Sequence, residues 1–354
     1  MKISTKVYLA LIFALAIGAP VPSMGAESVS WEKVLEAGKK EGVVNAASSS
    51  LSGKAAVTVA KVFKEKYGIS LEVIPGRIVT ITEKIMVEQK SKSYVTDFLD
   101  THGTSTVLLK NAGYLESVVG NLPVLKEKDK FAGTLTEDPE KELLNILYIH
   151  TDIWINTNLV KPGEEPKSYY DLLDPKWKGK ITLYNPIYNS APDQFMVAFS
   201  RAGLKEDYFI KLYKNANVGG PGGAGEIMNK LVRGEIAIFG WGEGTSPLKP
   251  FLEGAPIKPL ALKEGQLIKP MKAVAIKNAP HPNATKVFIN WLLSKEGQAV
   301  VSKETQLEPV RNDVPSPLPF SFDTPKVILT YKDLVLAEDR RSNNYMANLL
   351  GLQR

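Results

Sequence analysis

Arg77 sits in the turn Pro75-Gly76-Arg77, directly after the apolar segment from Ile69 to Ile74. A guanidinium there can grip a carboxylate, phosphonate or sulfonate through two parallel hydrogen bonds, or stand as a solvated surface charge. Two further polar loops follow apolar segments: Ser48-Ser49-Ser50-Leu51-Ser52-Gly53 and Thr101-His102-Gly103-Thr104-Ser105-Thr106. Ser48, Ser49 and Thr104 are placed to donate hydrogen bonds to an anion, and the same hydroxyls can equally cap helices. His102 can bind ligand, respond to pH, or sit satisfied in its loop. Later in the chain, the loop from Asn185 to Ser190 offers Tyr188, Asn189 and Ser190, and Gly240 to Thr245 offers Trp241 and Glu243. Trp241 can stack on a ligand or pack into a core. Glu243 suits an amino or cationic group, which keeps a zwitterion or a cation in view.

Covalent chemistry finds little to work with. The chain has no cysteine, so it has no thiol nucleophile, disulfide or thiolate metal site. Its three histidines, His102, His150 and His281, are far apart, and neither an H-E-x-x-H nor a G-x-S-x-G motif occurs. Gly220-Pro221-Gly222-Gly223-Ala224-Gly225 fits G-x-G-x-x-G. That pattern needs a buried strand immediately before it, and the stretch from Lys211 to Asn217 is helical or loop in character. The expectation is a binding protein, not an enzyme, with no cofactor and no catalytic residue. The formal net charge is +6, two of it from Lys2 and Lys6, and the lysines are spread along the chain. Nucleic acid is therefore not an expected partner, while a mild positive field favours an anionic ligand.

The elements that must position these loops follow from periodicity. Trp31 to Lys40 places Trp31, Val34, Leu35 and Gly38 on one helical face, and Ala55 to Tyr67 does the same with Val59, Val62, Phe63 and Tyr67. Short apolar runs at Val43 to Ala47, Ile69 to Ile74 and Val95 to Asp100 predict strands between helices, the third helix falling at Thr82 to Lys90. Alternating strands and helices argue for an α/β sheet with parallel units, whose ligands sit beyond the carboxyl ends of the strands. The middle of the chain repeats the pattern: a strand at Lys180 to Tyr184 before the Tyr188 loop, and one at Ile236 to Phe239 before Trp241. Leu143 to Asn156 predicts a long strand that crosses between two halves.

Four segments, in order, carry a family resemblance. Ser168-Tyr169-Tyr170-Asp171-Leu172-Leu173-Asp174-Pro175-Lys176-Trp177-Lys178-Gly179-Lys180-Ile181 is very similar to a segment of the bacterial extracellular solute-binding proteins related to the ferric-iron-binding receptors of ABC transporters. Trp31 to Gly42 (WEKVLEAGKKEG), Val232 to Ala237 (VRGEIA), and Ala279 to Ala284 (APHPNA) followed by Leu293 to Gln298 (LSKEGQ) resemble the same family. The resemblance implies a type 2 periplasmic-binding fold: two α/β lobes, each a mixed, mostly parallel sheet flanked by helices, hinged by crossing strands. Lobe 1 would comprise residues 27–151 plus 270–305, and lobe 2 residues 152–269 plus 306–354. It further implies a small-molecule ligand between the lobes, closure on binding, and delivery to an ABC permease in the inner membrane. A monomer is the expected state, and a sensor feeding a membrane signalling protein is the alternative use of the fold.

Iron-binding members hold ferric ion with adjacent tyrosines in the loop after the strand that follows the Arg-Gly-Glu segment. Here that loop runs from Phe239 to Thr245 and has no tyrosine. The pair Tyr169-Tyr170 belongs to a packing segment. A small organic anion is therefore the first reading and ferric iron the alternative; no metal ligand is assigned. The N-terminus agrees with export. Lys2 and Lys6 precede an apolar run of about 11 residues, too short for a membrane span of roughly 20, and small residues follow up to Ala26. Residues 1–26 read as a signal peptide, the destination as the periplasm.

Overall fold

The computed structural model describes residues 30–352; the leader read from residues 1–26 lies outside the described residues. In chain order the first lobe opens with α1 (Trp31–Glu41), β1 (Val43–Ser48), α2 (Gly53–Tyr67), β2 (Ser70–Pro75), α3 (Ile78–Ser91), β3 (Phe98–Thr101), α4 (Thr104–Asn111) and β4 (Leu115–Glu116). Gly42 and Gly68 end α1 and α2 at φ 74 and 71, a left-handed conformation that costs glycine little. A long strand, β5 (Leu144–Asn156), then leaves this lobe. The second lobe follows: β6 (Ile181–Leu183), α5 (Ala191–Arg201), α6 (Glu206–Asn215), β7 (Asn217–Val218), α7 (Gly223–Val232), β8 (Ile238–Glu243), α8 (Thr245–Leu252) and β9 (Ile257–Leu260). The strand β10 (Gln266–Ile276) returns to the first lobe, where α9 (Pro282–Leu293), α10 (Lys295–Thr305) and β11 (Glu308–Pro309) complete it. The tail adds β12 (Lys326–Ile328), α11 (Tyr331–Ser342) and α12 (Tyr345–Leu349).

The strands run in the order β2-β1-β3-β10-β5-β8-β6-β7. β1 pairs in parallel with β2 and β3, and β6 in parallel with β7 and β8, as βαβ units require. Between these two parallel groups lie β5 and β10, antiparallel to one another from Leu144↔Ala273 to Thr151↔Leu267. The first half of β5 takes β10 and β11 as neighbours, and its second half takes β8 and β9. β5 and β10 are thus the crossing strands. All 11 residues of β10 are buried, yet Lys269, Pro270 and Lys272 interrupt its apolar pattern, so only residues 273–276 read as strand in the sequence.

Each lobe has its own core. Phe63, Phe98, Phe288 and Trp291 anchor the first. Trp154, Tyr169, Phe195, Phe199, Phe209 and Trp241 anchor the second. The expected return of the chain to lobe 2 at residue 306 comes later. Leu307 and Val310 sit in the first core, and buried Arg311 pairs with Glu127 and Asp313 there. Phe320 is where the tail meets the second core. Beyond it, α11 packs on α4 of one lobe and α5 of the other.

Candidate ligand-binding site

A cleft of about 1150 Å³ opens between the lobes, at the carboxyl ends of the parallel strands. Nine of the ten residues singled out in the sequence line it: Ser48, Ser49, Arg77, His102, Thr104, Tyr188, Asn189, Ser190 and Glu243.

Trp241 is the exception. Only 1% exposed, it stacks on Tyr169 (6.1 Å, 19°) and Phe209 (6.0 Å, 24°) inside the second core. The reason is a bulge. β8 spends three steps from Phe239 to Gly242 while β5 spends two from Trp154 to Asp152, and Trp241 takes φ +63. That extra residue breaks the two-residue alternation, so Trp241 turns into the core while Glu243 reaches the cleft.

The serine loop also differs from expectation. The parallel register Ala47↔Leu99 puts Asp100 beside Ser48 at the strand ends. Asp100 is 2% exposed and accepts from the Ser48 hydroxyl, from Ser49 N–H (2.6 Å) and Oγ (2.9 Å), and from Ser50 Oγ (2.6 Å). Leu51 N–H donates to Ser48 Oγ at 2.8 Å. Ser48 and Ser49 therefore do not aim their protons at a ligand, nor do they cap α2, whose N-cap is Ser52. The buried carboxylate consumes those donors, and the outward faces of Ser49 and Ser50 present lone pairs.

Donors come instead from helix starts. Arg77 is the N-cap of α3 and Gly103 (φ 62) that of α4, and neither helix has a side-chain cap hydrogen bond. Ile78, Val79, Thr104 and Ser105 bring these first turns to the cleft, with their unpaired N–H groups and positive helix ends. Placing the start of α3 at Ile78, ahead of the expected Thr82, is what brings Arg77 to a helix terminus. Arg77 has no carboxylate within salt-bridge distance among the described residues. From lobe 2, Asn189 Oδ1 accepts from Ala191 N–H at 2.8 Å and starts α5, and Ser190 Oγ accepts from Gln194 Nε2 at 3.0 Å. Gly103 packs against Gln194, so the lobes touch at that point.

At the floor, Lys269 of β10 donates to Glu243 at 2.7 Å; its side chain is 3% exposed against 21% for Glu243. Nothing in the sequence flagged Lys269, because burial of a lysine depends on a partner 26 residues away. His102 is half-buried beside this pair. Loss of solvent, then the charge of Lys269, lower its pKa to about 4, so it is neutral near pH 7. Arg341, Ser342 and Asn344 of the tail also reach the cleft, a wall the sequence did not announce.

Other sequence candidates resolve into structure. Tyr169 is buried and Tyr170 is exposed, and neither lines the cleft. His281 Nδ1 bonds Asp97 at 2.9 Å, below the strands. At the Gly220 to Gly225 stretch the Glu226 carboxylate lies at the glycine backbone, 3.3 Å from Gly222 N, where a phosphate would have to sit. Among the described residues, one acidic trio has metal-like spacing, Asp138, Glu140 and Glu142. The Lys110 ammonium occupies it at 3.1, 2.7 and 2.6 Å. Burial disfavours that ammonium, and the bonds to the three carboxylates outweigh burial and raise its pKa. Among the described residues, no helix is long and apolar enough to cross a membrane.

Comparison with known proteins agrees with this architecture. Residues 107–324 match the family model described as bacterial extracellular solute-binding protein. A Haemophilus influenzae protein is 30% identical over 190 residues, 51% of this chain and 53% of the relative. A Salmonella typhimurium protein with the provisional description "2-aminoethylphosphonate-binding periplasmic protein" is 32% identical over 168 residues, 45% and 49% of the two chains. The chain thus spans about half the length of these curated relatives. Among solved structures, Trichodesmium IdiA (FutA) in complex with iron and citrate superposes with TM-score 0.70 at 20% identity, over 88% of this chain and 100% of that one. AfuA from Actinobacillus pleuropneumoniae, with fructose-6-phosphate bound, gives 0.69 at 19% over 88% and 99%. Both share the type 2 periplasmic-binding fold seen here. The chain belongs to the bacterial extracellular solute-binding protein family.

Proposed function

We propose that this protein is a periplasmic receptor that captures a small organic anion between its lobes and delivers it to an ABC permease. One observation carries the ligand class: two helices, α3 and α4, present uncapped first turns to one cleft, next to an arginine without a carboxylate partner. Unpaired N–H groups, positive helix ends and a free guanidinium together suit an acid group such as a phosphonate, phosphate or carboxylate. The phosphonate in the Salmonella relative's description supports the same class.

The mechanism is binding and hinge closure, with no covalent step. Ligand contacts from both lobes exist together only when the lobes are closed, so ligand shifts the population toward that state, which the permease reads. Ferric iron is the competing ligand. It favours hard anionic oxygens, whereas Tyr184 at the cleft is buried and its phenol is pushed well above the ordinary range by that burial.

The test is a thermal melt of the mature protein against phosphonates, sugar phosphates, carboxylates and ferric iron. A ligand at about 100 times its Kd adds about 2.7 kcal/mol, a rise of a few degrees for a chain of this size. We expect an organic acid to raise Tm and Arg77→Ala to abolish that rise with an unchanged unliganded melt. A rise with ferric iron alone would overturn the anion assignment.

A further inference from the structure

The cleft presents two kinds of group, and the acid-binding reading uses one of them. The donors are Arg77 and the first turns of α3 and α4. The acceptors are the serine loop, which lies between those two turns because β1 lies between β2 and β3, and Glu243 of β8. The N–H groups of Ser49 and Leu51 and the hydroxyl protons of Ser48, Ser49 and Ser50 are spent inside the loop or on Asp100, so Ser49 and Ser50 offer a ligand lone pairs. Glu243 adds a half-buried carboxylate. Ser49, Ser50, His102 and Glu243 line the same cleft.

We propose that the ligand carries an ammonium group beside its acid, and that Glu243 binds this ammonium while Lys269 beneath it orients the carboxylate. This rests on the reading of the cleft as an acid-binding site. A plain anion brings no donor to the open side of Glu243. When the lobes close, that side of the carboxylate loses water and gains nothing in return, and a buried acceptor left short of partners is costly. An ammonium brings three protons and no lone pair, the complement of what a carboxylate presents. Lys269 explains how a carboxylate can wait at the floor. Its buried ammonium neutralises Glu243 from below at 2.7 Å and leaves the outer side of the carboxylate open. Discrimination thus comes at closure, against acids that lack the amine.

Matched probes test this by calorimetry on the mature protein: 2-aminoethylphosphonate against ethylphosphonate, and β-alanine against propionate. The aminated member of each pair should bind about 10- to 100-fold more tightly, the worth of a hydrogen bond between charged groups. In Glu243→Gln that preference should fall to about threefold or less. Should the single variant fold poorly, the neutral pair Glu243→Gln with Lys269→Met replaces both buried charges and carries the same expectation. Plain acids that bind the wild type as tightly as their aminated partners overturn this inference and leave the acid-binding reading standing. A preference that survives both variants overturns the role of Glu243. If none of the four probes binds and no acid raises Tm, both readings fall together.

Discussion

The two lobes build their halves of the cleft in different ways. In the first, a buried carboxylate does the bracing: Asp100 gathers three serine side chains from the end of the neighbouring strand, and the cleft face is what that network leaves exposed. In the second, aromatic rings do it. Trp241, Tyr169, Phe195 and Phe209 stack beneath the wall, and polar Tyr188, Asn189 and Ser190 sit on top. The wall of lobe 1 is therefore sensitive to charge and protonation, and the wall of lobe 2 to volume. Polar networks fix hydrogen-bond direction, which specifies a ligand; stacked rings fix shape, which gives the other lobe a firm surface to close upon.

The comparison breaks most readily at Trp241. Trp241→Ala should remove about 3–5 kcal/mol of stability by leaving a cavity in the second core. Urea denaturation measures it, and a loss below about 1 kcal/mol would mean the rings do not hold that wall. Asp100→Ala comes next, at about 2–3 kcal/mol, because several serine donors in a largely buried loop lose their common acceptor. Binding should weaken with it, and a ligand affinity equal to wild type would show that the serine loop is not shaped by Asp100. Lys272 sharpens the point about charge. It is 1% exposed, its Nζ has no hydrogen-bond partner among the described residues, and burial lowers its pKa from 10.5 to about 8. The unfolded chain then holds this proton more tightly, so Lys272 destabilises the fold fully below pH 8 and progressively less as pH rises from 8 to 10.5. Lys272→Met should be about 1–3 kcal/mol more stable than wild type at pH 7, with the gap closing by pH 10.5. Parallel pH profiles for the two proteins would contradict this. The smallest expected effect on stability is at Tyr188, 58% exposed at the cleft rim. Tyr188→Ser should change stability by less than about 0.5 kcal/mol while ligand affinity falls, so a large stability loss would move Tyr188 into the supporting layer.

Much of the architecture was legible along the chain. The first lobe alternates strands and helices with clear apolar periodicity, and β1, α2, β2 and β5 fall within a few residues of where that periodicity puts them. The cleft loops were legible too, because in such sheets the loops after parallel strands share one end. Other features were not. α3 begins at Ile78, ahead of its periodic part, because β-branched Val79, Thr80 and Thr82 weaken the helical signal of its first turn. β10 hid behind Lys269, Pro270 and Lys272, since a fully buried strand is not expected to carry two lysines. The late return of the tail followed from Arg311, whose partner Glu127 lies 184 positions away.

By itself the sequence determined the two-lobed α/β plan, the lack of any cysteine, and the set of loops that meet at the cleft. These depend on composition and local period, which each segment carries alone. Tertiary structure alone decided what the loops present. The serine hydroxyls turned from donors into acceptors because Asp100 lies 52 positions from Ser48 yet one strand away. Trp241 and Glu243 parted because a bulge against β5 reset their alternation. Lys269 became a buried counter-ion because the hinge strands set it against Glu243. In each case the direction of a hydrogen bond, the face of a side chain or the partner of a charge is fixed by a group remote in sequence, and local periodicity contains no term for it.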